Sequence, residues 1–290
     1  MNTTTGPVYV VGAAGHTGGA ALGHLNALGA EAHALFDERD GRRMREERWS
    51  GVSTRIVPFD DPDAVEGVLR GARALVLVLE DPATGPAERL RHGRNLIDAA
   101  VRAGVGQTVF VAATGPDHHR LSCDVSAEMA RHVGRLEAPW TVLHPATFME
   151  EVPWYWLNRF GRALTLTTPF AAGQHLPLVA LDDVGALAAL AATRPDEFAG
   201  RTLDVAGDTR TPSDVAASLA AALGEPVGCE EVQVEGVFVY QEASTQVRDI
   251  GWLRAQYPRL RTFASWLEEG GGLELCRREV GAAAGVRPAA

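Results

Sequence analysis

The chain has 290 residues, 46% hydrophobic and 22% charged, with a formal net charge of −10. This length and balance suit an ordinary water-soluble globular protein with a full core, the acidic charge argues against a broad nucleic-acid footprint, and no apolar run is long enough to cross a bilayer. The three cysteines, Cys123, Cys229 and Cys276, are widely spaced, show no metal-ligand spacing and fit reduced thiols in a cytosol.

A short apolar run, Val8 to Val11, leads directly into Gly12-Ala13-Ala14-Gly15-His16-Thr17-Gly18, followed by the small and apolar residues of a helix expected near 19–28. The order is strand, tight turn, helix. Gly12 permits the sharp turn, Gly15 lets the backbone approach a pyrophosphate, and Gly18 or Gly19 lets the helix lie close to the sheet. The helix start offers main-chain N–H groups and the positive end of its dipole to phosphate. The chemistry is that of a dinucleotide site, with Gly12, Ala14, Gly15, His16, Thr17 and Gly18 as its phosphate-side residues. The spacing is Gly-x-x-Gly-x-x-Gly, so the strand before and the helix after carry as much of the argument as the glycines.

Because a strand is expected within about ten residues of the start, no signal peptide fits and a cytoplasmic protein is expected. Residues 30–36 read as a second strand closed by Asp37. An acid there bonds a ribose 2′-hydroxyl and repels a 2′-phosphate, which tilts the expected coenzyme toward NAD. Arg39, Arg42, Arg43 and Arg45 follow at once and are the counter-argument, since they could hold a phosphate or simply form a solvated helix face. A third strand is expected near 53–58. After it, Asp60 is a candidate adenine contact, and Asp60 or Asp61 a candidate cap of the helix at 63–69. Strands near 74–79 and 107–113, with a helix at 88–103 between them, complete an alternation that predicts a doubly wound parallel sheet with its ligand at the strands' C-terminal ends. Leu79, Thr114 and Pro145, closing the fourth, fifth and sixth strands, are assigned to the dinucleotide.

A helix near 122–136 and a strand at 140–143 precede a change of composition. Val152-Pro153-Trp154-Tyr155-Trp156 crowds three aromatics together, which could wall a flat substrate or pack the core of a lobe. Residues 164–174 read as short-stranded or irregular. Asp182-Asp183 are expected to cap an alanine-rich helix, residues 201–205 form another strand, Thr211-Pro212-Ser213 opens another helix, and the Gly270-Gly271-Gly272 break with the alanine-rich tail is expected to fray. The division expected is a dinucleotide-binding Rossmann domain over 1–150 and a substrate-binding lobe over 151–290, with residues 178–206 returning to the core.

In this order the pieces resemble the NmrA-like branch of the atypical short-chain dehydrogenases. The resemblance rests on the glycine turn, Asn95-Leu96-Ile97-Asp98-Ala99-Ala100 with Ala103-Gly104-Val105, Trp140 to Pro145 with Phe148-Met149-Glu150, Leu181-Asp182-Asp183-Val184, Ala199-Gly200-Arg201-Thr202 and Ala206-Gly207-Asp208. It implies an NAD(P)-binding Rossmann core with a smaller C-terminal α/β lobe. It also implies either reductase activity on quinones, dyes or phenylpropanoids, or a non-catalytic redox sensor. The sequence departs from the family at Asp37, where NADP-binding relatives often carry arginine, and at His144-Pro145 in place of Arg-Pro. No Tyr-x-x-x-Lys occurs, and four residues before Glu128 stands Asp124.

Hydride delivery to an electron-poor acceptor needs no protein acid. Where a proton is required, the candidates are His118, His119, Asp124 and Tyr155, with Thr114 and His144 also near the expected cleft. His118 and His119 could equally be exposed loop residues, Asp124 a helix cap, and His144 a brace for the turn. His144, Phe148 and Trp154 are the expected substrate contacts. His118, His119 and Cys123 lack a fourth ligand for zinc, so no metal is expected, and no nucleophile elbow occurs. The reading is an NAD(P)(H)-dependent reductase of a small aromatic, quinone-like or conjugated substrate. The alternatives are a dinucleotide-binding sensor and a non-redox isomerase or cyclase on a retained scaffold.

Overall fold

The computed structural model describes residues 5–39, 52–79, 84–112, 120–232 and 249–284, with main chain alone over 120–124 and 282–284. The chain divides into two compact units, the first comprising 1–114, 118–145 and 184–203, the second 115–117, 146–183 and 204–290. No helix among the described residues is long and apolar enough to cross a membrane.

The first unit is built on β1 (Val8–Val11), β2 (Ala32–Phe36), β3 (Thr54–Ile56), β4 (Ala74–Val78), β5 (Thr108–Val111) and β6 (Trp140–Pro145). These pair in parallel throughout, in the order β3-β2-β1-β4-β5-β6, with β11 (Arg201–Val205) beside β6 as a seventh strand. Every residue of β1, β2, β4 and β5 is buried, as continuous apolar runs in a covered parallel sheet should be. The connecting helices are α1 (His16–Ala27), α2 (Pro62–Leu69), α3 (Pro86–Arg102) and α4 (Arg120–Val133). α1 packs on β1, β2 and β4, and α3 packs between α2 and α4. Leu75, Leu77, Leu96, Ile97 and Phe110 make the centre of this core, all 1% exposed or less. Strand order reverses where β1 meets β4, the switch point at which such sheets bind ligands.

α1 starts at His16, three residues earlier than glycine content suggests. Gly18 sits inside it because a Cβ there would stand 2.2 Å from the Gly12 carbonyl oxygen. Close approach outweighs the weak helix propensity of glycine.

The second unit holds two small sheets. One is β12-β10-β7, from β7 (Thr147–Phe148), β10 (Leu176–Val179) and β12 (Asp208–Arg210); the other is β13-β9-β8, from β8 (Leu157–Phe160), β9 (Ala163–Thr168) and β13 (Val227–Glu231). The stretch that reads as short-stranded or irregular contains a strand, β9, paired antiparallel with β8 and parallel with β13. Met149, Leu166, Phe170, Leu178, Phe263 and Trp266 are central to its core. α5 (Leu181–Thr193), the alanine-rich helix, falls from Val184 onward in the first unit, as does α6 (Pro195–Phe198); α7 (Pro212–Leu223), α8 (Ile250–Gln256), α9 (Phe263–Glu268) and α10 (Gly272–Ala284) belong to the second. Thr211 and Asp214 cap α7 reciprocally through side chain and main chain.

Two expectations are corrected. Asp183 does not cap α5, because its carboxylate accepts from Arg261. The triple glycine does break the chain between α9 and α10, but it is not frayed: a Cβ on Gly272 would stand 2.5 Å from the Trp266 ring, and α10 runs from that residue to Ala284, while residues 285–290 lie outside the described residues.

Candidate functional site

β1 and β2 are in register with Val11 opposite Leu35, and β1 and β4 with Val11 opposite Leu77. Gly12, Asp37 and Leu79 therefore follow neighbouring strands at the same sheet edge. Gly12 has φ +79°, and a Cβ there would meet the Val78 carbonyl oxygen at 2.2 Å, so only glycine makes this turn. Its carbonyl accepts from the Gly15 N–H at 2.9 Å, closing the loop beneath α1. Gly15 caps α1 with no side-chain hydrogen bond, at φ −79° and ψ 172°. A Cβ on Gly15 would meet nothing closer than the Gly12 carbonyl oxygen at 3.4 Å, and Gly15 and His16 are both exposed. Ala14 is half-buried, and Thr17 and Gly18 are buried against the turn. The result is an exposed helix start without a side-chain cap at Gly15, over a turn in which Gly12 and Gly18 admit no Cβ, a geometry that fits a pyrophosphate.

At the end of β2 Asp37 is buried, its side chain 9% exposed, and its carboxylate is taken up by its own surroundings. Oδ1 accepts from the Arg39 main-chain N–H at 3.0 Å and from Arg39 Nε at 2.7 Å, and Oδ2 accepts from the Phe59 N–H at 2.9 Å. Burial pushes the Asp37 carboxyl up, but these bonds outweigh it and hold it below the usual carboxylate range. The Arg39 guanidinium also pairs with Glu88 and reaches His92 Nε2 at 2.9 Å. Arg42, Arg43 and Arg45 lie outside the described residues.

Asp60 receives Arg91 through Nε at 2.7 Å and Nη2 at 3.2 Å, and these bonds hold its carboxyl down at about 2. The helix cap falls to its neighbour: Asp61 accepts from the Asp63 and Ala64 N–H groups. Asp60, Glu88 and His92 bring ligand atoms within 4.8 Å of one another. Arg39 and Arg91 already neutralise both carboxylates, so the cluster is satisfied without a metal. Sequence reasoning missed Glu88 and His92, whose spacing of four on α3 was the available signal.

Leu79 is half-buried beside Gly93, and Pro145 is buried at the end of β6 with the half-buried His144 before it. Thr114, His118 and His119 lie outside the described residues, and Asp124 is described only as main chain in the first turns of α4. In the second unit, Phe148 on β7 is 8% exposed. Val152–Trp156 forms a single π-helical turn, a form often found at functional positions. It buries Trp156 in the core and presents Tyr155 at 53% exposure, edge-on to Trp154 with ring centres 6.3 Å apart.

Among curated proteins, the chain is 28% identical to (4-alkanoyl-5-oxo-2,5-dihydrofuran-3-yl)methyl phosphate reductase of Streptomyces griseus subsp. griseus over 234 residues, 79% of this chain and 78% of that protein. Among solved structures it is similar to NmrA, a negative transcriptional regulator in complex with NADP, at 16% identity and a TM-score of 0.73, covering 98% of each chain. It is also similar to triphenylmethane reductase of Citrobacter sp. complexed with NADP(H), at 16% identity and a TM-score of 0.71, covering 95% of this chain and 100% of that one. These likenesses match the doubly wound, Rossmann-like sheet described above. Residues 4–248 match the NmrA-like family, and the chain belongs to it.

Proposed function

We propose that the chain is an NAD(P)(H)-dependent reductase of a small aromatic, quinone-like or conjugated substrate. The observation that carries the reading is the turn from β1 into α1, where Gly12 and Gly18 admit no Cβ while Gly15 leaves an uncapped helix start open. Gly12, Ala14, Gly15, His16, Thr17 and Gly18 hold the pyrophosphate; Asp37 and Asp60 stand at the adenosine side; Leu79, Thr114 and Pro145 follow along the strand ends. Substrate contacts are assigned to His144, Phe148 and Trp154.

A bound reduced nicotinamide supplies a hydride. The chain's own share is to bind and orient, and to let a proton reach the product. Reduction of a conjugated carbonyl or quinone adds one hydride and one proton. The proton donor is drawn from His118, His119, Asp124 and Tyr155, or is solvent. Substrate class is supported by the relatives: one is named for reduction of an unsaturated, acylated lactone and another for triphenylmethane.

A second reading, a dinucleotide-binding regulator without turnover, is favoured by the missing Tyr-x-x-x-Lys pair and by the likeness to NmrA. Calorimetric titration with NAD, NADH, NADP and NADPH, followed by mixing of the bound reduced form with quinones and unsaturated lactones, separates the two. Tighter binding of a reduced form and its consumption with a conjugated acceptor is the expected result. Equal affinity for oxidised and reduced forms without consumption would replace the enzyme by the regulator. Absence of binding would leave an isomerase or cyclase.

A further inference from the structure

Arg39 is the first guanidinium after β2, and each of its three nitrogens makes a hydrogen bond, engaging three of its five N–H donors. Nε donates to Asp37 at 2.7 Å, Nη1 pairs with Glu88, and Nη2 reaches His92 Nε2 at 2.9 Å. Two of these three partners come from α3, forty-nine and fifty-three positions away in sequence. His92 is held in turn: its side chain is 6% exposed, and its ring meets Phe59 edge-on at 5.8 Å. Asn95, one turn further along α3, donates to the Phe59 carbonyl at 3.0 Å and fixes the helix against this loop. The guanidinium is therefore not a loose side chain waiting for an anion. It is bracketed by two carboxylates, Asp37 and Glu88, on one side of a cluster whose remaining charges, Asp60 and Arg91, cancel each other.

The charge balance of these described side chains has a direct consequence at the ribose. Asp37, Glu88 and Asp60 oppose Arg39 and Arg91, which leaves one negative charge in excess among these five carboxylates and guanidiniums. A 2′-phosphate brings nearly two more negative charges and needs a cation whose donors are available in bidentate geometry. We propose that α3, through Glu88 and with His92 as the second brace, sets coenzyme choice by tying up Arg39, so that the site favours the unphosphorylated dinucleotide. Glu88 is a positioning residue that acts through Arg39. The inference rests on the dinucleotide reading above and adds to it the element that decides which dinucleotide is taken.

The test is calorimetric titration of the full chain with NADH and NADPH, in the wild type, Glu88→Gln and Glu88→Asp. The wild type should bind NADH more tightly. Removing one charge partner of a surface-exposed guanidinium should move the NADH/NADPH affinity ratio toward NADPH by about two- to fivefold, whereas Glu88→Asp, which keeps the charge, should retain most of the original ratio. The ratio is the readout because a general loss of fold would lower both affinities together. A wild type that prefers NADPH, or a ratio that Glu88→Gln leaves in place, would overturn the proposal with the dinucleotide reading intact. Binding of neither coenzyme by the wild type would remove both.

Discussion

The Asp183 carboxylate accepts two hydrogen bonds from Arg261, from its main-chain N–H at 2.8 Å and from Nη1 at 2.5 Å, across seventy-eight positions of sequence. Asp183 is fully buried, and burial pushes its carboxyl up to about 6 in spite of the arginine. The same guanidinium reaches Asp182 at 3.0 Å, so a single cation compensates two adjacent acids at the start of α5. Removing one partner of a buried pair leaves an uncompensated charge. Arg261→Met should therefore cost about 3 kcal/mol at neutral pH, read as a fall in the denaturant midpoint. The penalty should shrink below about pH 5, where Asp183 is protonated and needs no cation. An equal penalty at both pH values would show that Arg261 acts by packing alone.

Glu150 gives the second unit a pH dependence of definite sign. Its Oε1 accepts from the Trp266 indole N–H at 3.1 Å and its Oε2 from the Leu181 N–H at 3.0 Å. Burial, helped by the nearby Asp183, lifts its carboxyl from 4.5 to about 7. The folded state therefore holds a proton that the unfolded chain releases near 4.5, and stability falls as pH rises from about 4.5 to about 7. A shift of this size corresponds to something on the order of 3 kcal/mol across that window. Glu150→Gln should remove this share of the slope, leaving the smaller fall that Asp183 contributes between 3.8 and about 6. Thermal or denaturant unfolding followed from pH 4 to 8 in the two proteins is the measurement; parallel curves would refute the assignment.

What was legible in the sequence was legible for physical reasons. Continuous apolar runs such as Val8–Val11 and Ala74–Val78, set between turns and helices, read as covered parallel strands, and each is wholly buried. The glycine turn announced its own geometry, because no other residue takes φ +79° at Gly12 without strain. The second unit was harder. β13 carries Val227-Gly228-Cys229-Glu230-Glu231, with neither alternation nor an apolar run, and it exists because β9 lies alongside it. Side-chain partnerships were the least legible. Asp37 was readable as an acid at the end of β2, but not that Arg39 and the Phe59 N–H claim its oxygens. The three glycines read correctly as a break, which falls between α9 and α10, but nothing in them says that Trp266 lies against Gly270 and Gly272.

Adjacent acids with different partners make Asp60 and Asp61 separable. Asp61 accepts from the N–H groups of Asp63 at 3.1 Å and Ala64 at 3.0 Å, the first donors of α2. Asp61→Ala should destabilise the fold by about 1 kcal/mol, as loss of a helix cap does, while coenzyme affinity holds. Asp60→Ala removes a half-exposed partner of Arg91 and should cost less stability. Its effect belongs in the binding isotherm if Asp60 stands at the adenosine side. A fall in coenzyme affinity for Asp61→Ala that matches the one for Asp60→Ala would show that the loop, rather than the Asp60 carboxylate, carries the effect.

Gly15 and Gly18 stand three residues apart in one turn and should fail in different ways. A Cβ on Gly18 would lie 2.2 Å from the Gly12 carbonyl oxygen and 2.9 Å from the Ala13 nitrogen, both main-chain atoms that cannot yield without moving β1 or α1. Gly18→Ala should therefore destabilise the fold by about 3 kcal/mol, the upper range for overpacking. Gly15 meets only ordinary contact distance at 3.4 Å and has a φ of −79° that any residue adopts. Gly15→Val should thus leave the melting temperature nearly unchanged, yet place a branched side chain where a pyrophosphate would approach the start of α1. Coenzyme affinity should then fall below detection in a calorimetric titration while the unfolding curve overlays that of the wild type. Retained affinity in a folded Gly15→Val protein would mean that no phosphate sits on this helix start, and the dinucleotide assignment would go with it.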